Sequence, residues 1–244
     1  MSWIFISDLH LDNTNSGLFE AFEHFLQREQ NADLKGLYIL GDLCDAWIGD
    51  DDDSELAGRL SKLLLEFCEQ TPVYFVHGNR DFLLGSAFAQ SCGLTLLPDP
   101  SVVDLAGTRI VLAHGDAYCT GDTKYIQMRS LSRSESFKAD LLRRSLHDRR
   151  AMAASLRADS IKKNANKADN IMDVTPSEIT RVLKEHDAWH LIHGHTHRPA
   201  IHREIIDRKN AFRYVLGDWL RCGWLLRFDG QRFQMECFAL NVSQ

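Results

Sequence analysis

Five times along this chain an apolar run of four or five residues gives way at once to a turn that carries metal-ligating side chains. The runs are Trp3-Ile4-Phe5-Ile6, Leu37-Tyr38-Ile39-Leu40, Val73-Tyr74-Phe75-Val76, Arg109-Ile110-Val111-Leu112-Ala113 and Trp189-His190-Leu191-Ile192. The turns are Asp8-Leu9-His10, Gly41-Asp42, Gly78-Asn79-Arg80-Asp81, His114-Gly115-Asp116 and Gly194-His195-Thr196-His197. Continuous β-branched and aromatic runs suit strands buried on both faces, which confines the chain to layered α/β architectures. Ligands of open α/β sheets gather beyond the carboxyl ends of the strands. The five turns therefore predict one shared site along one edge of a sheet.

Between the runs the pattern turns helical, over Gly17–Glu29, over Ser54–Glu69 with Ser54 as N-cap, and over Pro176–His186 with proline at its start. Further strands are expected at Leu94–Leu97, Val102–Leu105, Phe212–Leu216, Trp224–Phe228 and Phe233–Phe238. Residues 123–170 hold neither proline nor glycine and read as one or more uninterrupted helices. The simplest architecture is a mixed α/β sandwich, with a core of residues 1–122 and 171–244 and a helical cap of residues 123–170 inserted into it. No stretch approaches the roughly 18 apolar residues that span a bilayer, and the N-terminus lacks a secretory signal pattern. The scattered cysteines (Cys44, Cys68, Cys92, Cys119, Cys222, Cys237) read as reduced thiols of a cytosolic protein.

The net charge of −6 hides an asymmetry. Between Lys124 and Lys167 twelve basic residues face four acidic ones, so that segment carries +8 and the rest −14. A basic module on an acidic body suggests an anionic partner at the module. Its interspersed apolar residues, among them Met128, Leu131, Phe137, Leu141, Leu142, Leu146, Met152 and Leu156, could pack on the body, line a groove for acyl chains, or rest on an anionic bilayer. The acidic run Asp50–Asp53 reads as a solvated loop rather than a cation site.

The five turns together read as a two-metal centre. Two divalent ions a few ångström apart need a bridging anion, and Asp42 is the candidate bridge. Asp8, His10 and His197 would complete one ion, and Asn79, His114 and His195 the other. This mixture of oxygen and nitrogen donors suits Mn²⁺, Fe²⁺ or Zn²⁺ better than Ca²⁺ or Mg²⁺ alone. Asp81 and Asp116 are expected to aim ligands rather than to bind. His24, His77, His147, His186, His190, His193 and His202 lack such partners and read as structural or exposed.

In order, D-x-H, G-D, G-N-x-D, H-G and G-H-x-H, these motifs resemble the calcineurin-like metallophosphoesterases over residues 3–200. The resemblance implies a four-layer α/β/β/α sandwich and a di-metal centre. A narrower resemblance follows from the flanks. Ile39–Leu43, Ala46–Asp51, His77–Gly85, Ile171–Val174 and Ile192–Pro199 are similar to the UDP-2,3-diacylglucosamine diphosphatases of lipid A synthesis. That family implies hydrolysis of a nucleotide-linked glycolipid to UMP and 2,3-diacylglucosamine 1-phosphate, with two Mn²⁺ ions per chain. The basic and apolar face of the insert adds the expectation of a peripheral place on the cytoplasmic side of the inner membrane. The family also implies catalytic roles for Asp42, Asn79, Arg80 and His195, and substrate contacts by Asn79, Arg80, Asp122, Ser160, Asn164, Lys167 and His195. Ser160, Asn164 and Lys167 share one helical face by their spacing.

Where many members of the wider superfamily carry His after this Asn, the chain has Arg80. Its fork matches phosphate oxygens but does not release a proton near neutral pH. A phosphate monoester leaving group, with a second pKa of about 6, needs none. The residue thus favours a diphosphate substrate. A nuclease or nucleotide phosphodiesterase would need a basic track for the phosphate backbone, and a non-catalytic scaffold would be expected to lose ligands. Neither nucleic acid nor an obligate protein partner is expected.

Overall fold

The computed structural model describes residues 1–164 and 173–240, without the side chains of 159–164. The elements run β1 (Ser2–Ile6), α1 (Ser16–Glu29), β2 (Leu34–Ile39), α2 (Glu55–Cys68), β3 (Val73–Val76), α3 (Ser86–Cys92), β4 (Leu94–Leu97), β5 (Ser101–Leu105) and β6 (Thr108–Leu112). They continue with α4 (Thr123–Ser132), α5 (Glu135–Leu142), α6 (Leu146–Asn164), α7 (Pro176–Glu185), β7 (His190–His193), β8 (Ala200–Ile206), β9 (Lys209–Val215), β10 (Cys222–Phe228) and β11 (Phe233–Ala239).

The strands form two sheets, ordered β11-β10-β1-β2-β3-β4 and β5-β6-β7-β9-β8. Alternation along each apolar run divides its side chains between two interiors. Ile4, Ile6, Leu37, Ile39, Val73 and Phe75 pack beneath α1, α2 and α3. Their neighbours Trp3, Phe5, Tyr38, Leu40 and Val76 meet Ile110, Leu112, Ile192 and Tyr214 of the second sheet. On the far side Val111, Ala113 and Leu191 pack with Ile179, Val182 and Leu183 of α7. Three apolar layers thus join helices, two sheets and helix in the α/β/β/α order. Each fully buried aliphatic or aromatic side chain contributes about 1.5–3 kcal/mol.

The two sheets correct one expectation. β1, β2 and β3 belong to one sheet, whereas β6 and β7 belong to the other, so the five turns converge from two sheet edges rather than one. Two elements had no sequence reading. Helix α3 has only seven residues between Gly85 and the left-handed Gly93, too short for a periodic pattern. Strand β8 is an edge strand with only Ile206 buried, so it lacks an apolar run. Segment 123–170 holds three helices in its described part, because Ser134 and Ser145 begin new turns: Ser134 Oγ accepts from Phe137 N at 3.3 Å, and Ser145 Oγ from Asp148 N at 3.1 Å.

Candidate metal centre

The ligand-bearing turns leave their strands in an unusual backbone conformation. Asp8, His10, Asp42, His195 and His197 all have φ between 53° and 66°. The left-handed region costs a non-glycine residue about 1–2 kcal/mol, and five of the seven proposed ligands occupy it. Strand-like stitching holds them there. Asp8 N donates to Gly41 O (3.1 Å), His10 N to Asp42 O (2.9 Å), Gly194 N to His114 O (2.9 Å) and Trp219 N to Asp8 O (3.1 Å).

Asp8 is fully buried, and its Oδ2 accepts from Ser7 Oγ (2.5 Å) and His195 N (3.0 Å). Its Oδ1 accepts no well-aligned hydrogen bond, although His197 Nε2 stands 3.3 Å away. Burial would raise the Asp8 carboxyl, but His197 and the fields of His114 and His10 outweigh it and hold it well below the usual range. His10 Nε2 lies 3.3 Å from His197 Nε2, and His10 Nδ1 is buried without a partner. Burial depresses His10 to about 4. His197 Nδ1 donates to Asp218 Oδ2 at 3.0 Å. Against the opposing effect of burial, Asp218 and Asp8 raise His197 to about 10. Asp218 was not foreseen from sequence. Its carboxylate fixes the ring of a proposed ligand whose other nitrogen faces Asp8 and His10, as outer supports of metal-binding histidines do. The Gly217-Asp218 pair after an apolar strand was the available signal.

Asp42 presents one oxygen to each half of the site. Oδ2 is 4.0 Å from His10 Nδ1, and Oδ1 is 3.8 Å from His114 Nε2. Burial pushes its carboxyl up to about 7. His114, fully buried, donates from Nδ1 to Leu40 O (2.8 Å) and from Nε2 to Asn79 Oδ1 (3.0 Å). Asp42, Asp8 and Asp116 overcome burial and raise it to about 9. The His195 ring stands edge-on to His114 at 5.1 Å, and burial depresses it to about 3.

Two donor groups result, Asp8–His10–His197 and Asp8–Asp42–His114, each within 4.8 Å. Asp8 is common to both, while the two oxygens of Asp42 face opposite halves. Orphaned Asp8 Oδ1 and His10 Nδ1 are buried donors that divalent cations would satisfy. The glycines make the approach possible: a Cβ on Gly78 would lie 2.2 Å from Asp42 Oδ1, and one on Gly194 2.2 Å from Asp8 Oδ2. The residues present fit a two-cation centre. Asp81 braces the Asp42 turn by accepting from Leu43 N (2.8 Å) and Gly78 N (2.7 Å). Asp116 differs from its expected role. Its Oδ2 accepts from Tyr125 Oη (2.6 Å) and Arg129 Nε (2.9 Å), so it ties α4 to the sandwich instead of touching a ligand ring.

The family model for calcineurin-like phosphoesterases matches residues 1–199, a stretch that contains every proposed metal ligand. The chain belongs to the calcineurin-like phosphoesterase family. That membership implies a divalent dinuclear centre, and the donor groups above are where this phosphoesterase would hold it. The chain is similar to a UDP-2,3-diacylglucosamine hydrolase of Cellvibrio japonicus, 47% identical over 93% of this chain and 94% of the relative. Relatives of the same name from Aeromonas hydrophila and Pseudomonas entomophila are 46% and 44% identical, each over 98% of this chain and 100% and 99% of their own.

Beside these donor groups a groove of about 200 Å³ runs between the sandwich and helices α4–α6. Trp47, Ile48, Phe82 and Leu83 form one wall, and Met128, Phe137, Leu141, Met152 and Leu156 the other. The interspersed apolar residues of the cap thus divide: five line the groove, whereas Leu131 and Leu142 are exposed outside it. Asn79, itself a proposed ligand, and Arg80 stand in the groove wall. Arg80 N donates to Asp42 Oδ1 at 2.8 Å. Among the described residues no carboxylate comes within 4.0 Å of its guanidinium, which leaves the fork open to an anion.

The basic segment has a nearer partner than the sequence suggested. Arg129 pairs with Asp99 and Asp116, Arg133 with Asp116, Arg149 with Asp51, Arg150 with Asp52 and Asp53, and Arg157 with Asp12 and Asp45. Among the described residues, five of these cations therefore pair with the acidic body. The run Asp50–Asp53 is correspondingly no free solvated loop. Asp50 accepts from Gly85 N and Phe88 N at the start of α3, and its three followers hold the cap. Of the residues expected at substrate, Asp122 caps α4 by accepting from Tyr125 N at 3.1 Å. Ser160 and Asn164 lie in α6, with side chains outside the described residues, and Lys167, like Ile171 and Met172, lies outside them altogether.

Proposed function

We propose that this phosphoesterase hydrolyses the diphosphate of UDP-2,3-diacylglucosamine to UMP and 2,3-diacylglucosamine 1-phosphate, a step of lipid A synthesis. The observation that carries the reading is the junction of a polar two-cation site and an apolar groove at the unpaired Arg80. A substrate with a diphosphate at one end and acyl chains at the other matches that junction, and the relatives bear the name of such a hydrolase.

Asp8, His10, Asp42 and His197 would hold one ion, and Asp42, Asn79, His114 and His195 the other, with Mn²⁺ as the assigned metal. When bound, such ions supply a water of lowered pKa and offset negative charge on the phosphoryl oxygens. The remaining work falls to the chain. The Arg80 fork holds the phosphoryl oxygens, and His195 and Asn79 orient the attacked, nucleotide-side phosphorus. The leaving sugar phosphate departs without a proton, consistent with arginine rather than an acid at position 80. Residues 123–170 act as the cap, with Asp122, Ser160, Asn164 and Lys167 orienting the nucleotide and sugar. Burial of acyl carbons against Phe137, Leu141 and Met152 contributes about 0.8 kcal/mol per CH₂. The exposed cap residues Met128, Leu131, Leu142 and Leu156 support a peripheral position on the anionic, cytoplasmic face of a membrane.

Mass spectrometry of products formed in ¹⁸O-water by chelator-stripped, Mn²⁺-restored protein tests the reading. Label in UMP with unlabelled sugar phosphate is the expected result. Label in the sugar phosphate reverses the attacked phosphorus, and intact substrate with metal bound removes the assignment.

A further inference from the structure

His193 ends β7 immediately before the Gly194–His197 turn, and no metal or substrate role falls to it. It is nonetheless fully buried and makes two hydrogen bonds of opposite sense. Nδ1 donates to Gly194 O at 2.9 Å, and Nε2 accepts from Arg213 Nη1 at 3.3 Å. Arginine has no acceptor, so its contact assigns a neutral ring with the proton on Nδ1. The ring also touches the second ligand turn. Gly115, at φ 116°, stands so close that a Cβ there would lie 2.7 Å from His193 Nδ1. One imidazole is therefore wedged between the turn after β6, which carries His114, and the turn that carries His195 and His197.

Arg213 makes the arrangement more pointed. It lies on β9, only 8% exposed, with Nε lacking any hydrogen-bond partner. Asp173 and Glu204 act on it from a distance, but no carboxylate reaches it within 4.0 Å among the described residues. A buried guanidinium without a counter-ion is expensive, and among the described residues its side-chain hydrogen bond is to the histidine nitrogen. Packing alone does not require a donor there, whereas fixing a tautomer does.

We propose that His193 and Arg213 are positioning residues of the metal centre. Arg213 selects the Nδ1–H form of His193, whose proton holds the Gly194 carbonyl and so sets the turn from which His195 N reaches Asp8 Oδ2 at 3.0 Å. The proposal rests on the metal-centre reading above, and it goes beyond the ligands themselves to what aims them.

The test exploits amide mimicry of the two ring nitrogens. An asparagine amide can donate from the position of Nδ1, whereas a glutamine amide reaches toward Nε2. His193→Asn should keep nearly wild-type Mn²⁺ affinity by calorimetry, while His193→Gln should bind roughly 10-fold more weakly, in the range of lost outer supports. In long-range ¹H–¹⁵N spectra of the metal-free protein, His193 should appear as a single Nδ1–H tautomer. Arg213→Met should mix the tautomers and weaken Mn²⁺ binding by a similar factor. Equal affinity for the Asn and Gln variants, whether retained or lost, overturns the proposal, because volume rather than a directed proton would then explain the site. An unchanged tautomer in Arg213→Met overturns the part given to Arg213, and that variant decides the matter if melting curves show either His193 variant unfolded. Wild-type protein that binds no Mn²⁺ would reject the metal reading, while the spectra would still judge the pair.

Discussion

Both ring nitrogens of His114 donate to oxygens, and each ring nitrogen of His197 has a carboxylate oxygen within 3.3 Å, so the metal-free chain favours their charged forms. Their values of about 9 and about 10 lie above the ordinary 6.5. A raised folded value contributes stability below the unfolded pKa and loses it as pH climbs through the folded one. Chelator-treated protein should therefore become less stable from pH 7 to 9, read as a falling denaturant midpoint; a flat or rising midpoint would contradict the assigned charge states. Metal uptake over the same range must expel those protons and should strengthen with pH. Arg80→His puts a titratable ring in place of the open fork. Turnover of the diphosphate should fall about 10-fold or more in kcat/KM, about 1.4 kcal/mol of transition-state stabilisation. A rate gain would show that the leaving group needs a proton and would undo the argument from residue type. At this scale the donor-bearing turns were legible in the chain, since D-x-H, G-D and G-H-x-H are local. Asp218 and the His193–Arg213 pair were not, because their partners lie 20 or more residues away.

Helix α4 has no fully buried residue and α5 only Leu141, so these cap helices owe little of their attachment to deep apolar packing. Arg149 is the exception on α6, at 3% exposure, donating to Ile48 O and to both oxygens of Asp51. A Cβ on Gly49, whose φ is 134°, would meet its Nη1. Arg149→Met should destabilise the start of α6 by about 2 kcal/mol, near the low end for charged hydrogen bonds because Asp51 is largely exposed. Limited proteolysis should then cut within 143–164 before the sandwich unfolds; wild-type protection of that segment would show the pairs to be ornamental. Leu156, exposed but lining the groove, tests the other function of α6. Leu156→Glu should raise KM several-fold for a diacylated substrate, each lost CH₂ contact being worth up to about 0.8 kcal/mol. A preference for acylated over non-acylated diphosphate that survives the change would remove acyl chains from this groove.

Across the whole molecule, the charge asymmetry is largely internal. With Arg129, Arg133, Arg149, Arg150 and Arg157 paired to the body, membrane attachment should rest on exposed apolar side chains more than on charge. Flotation with anionic vesicles should carry the protein upward, and retention should change little between about 0.1 M and 0.5 M salt, where screening shortens the reach of surface charges. Recovery entirely in the unbound fraction would remove the membrane placement. The sequence by itself determined the strand runs, the order of the donor-bearing turns and the helical character of residues 123–164, because each depends on residues within a few positions of one another. Only the tertiary structure decided that the turns converge from two sheets, that the basic segment answers the acidic body, and that a buried arginine aims a histidine outside the motifs. Those outcomes depend on which distant side chains share a buried space, where an unmet charge or donor costs most.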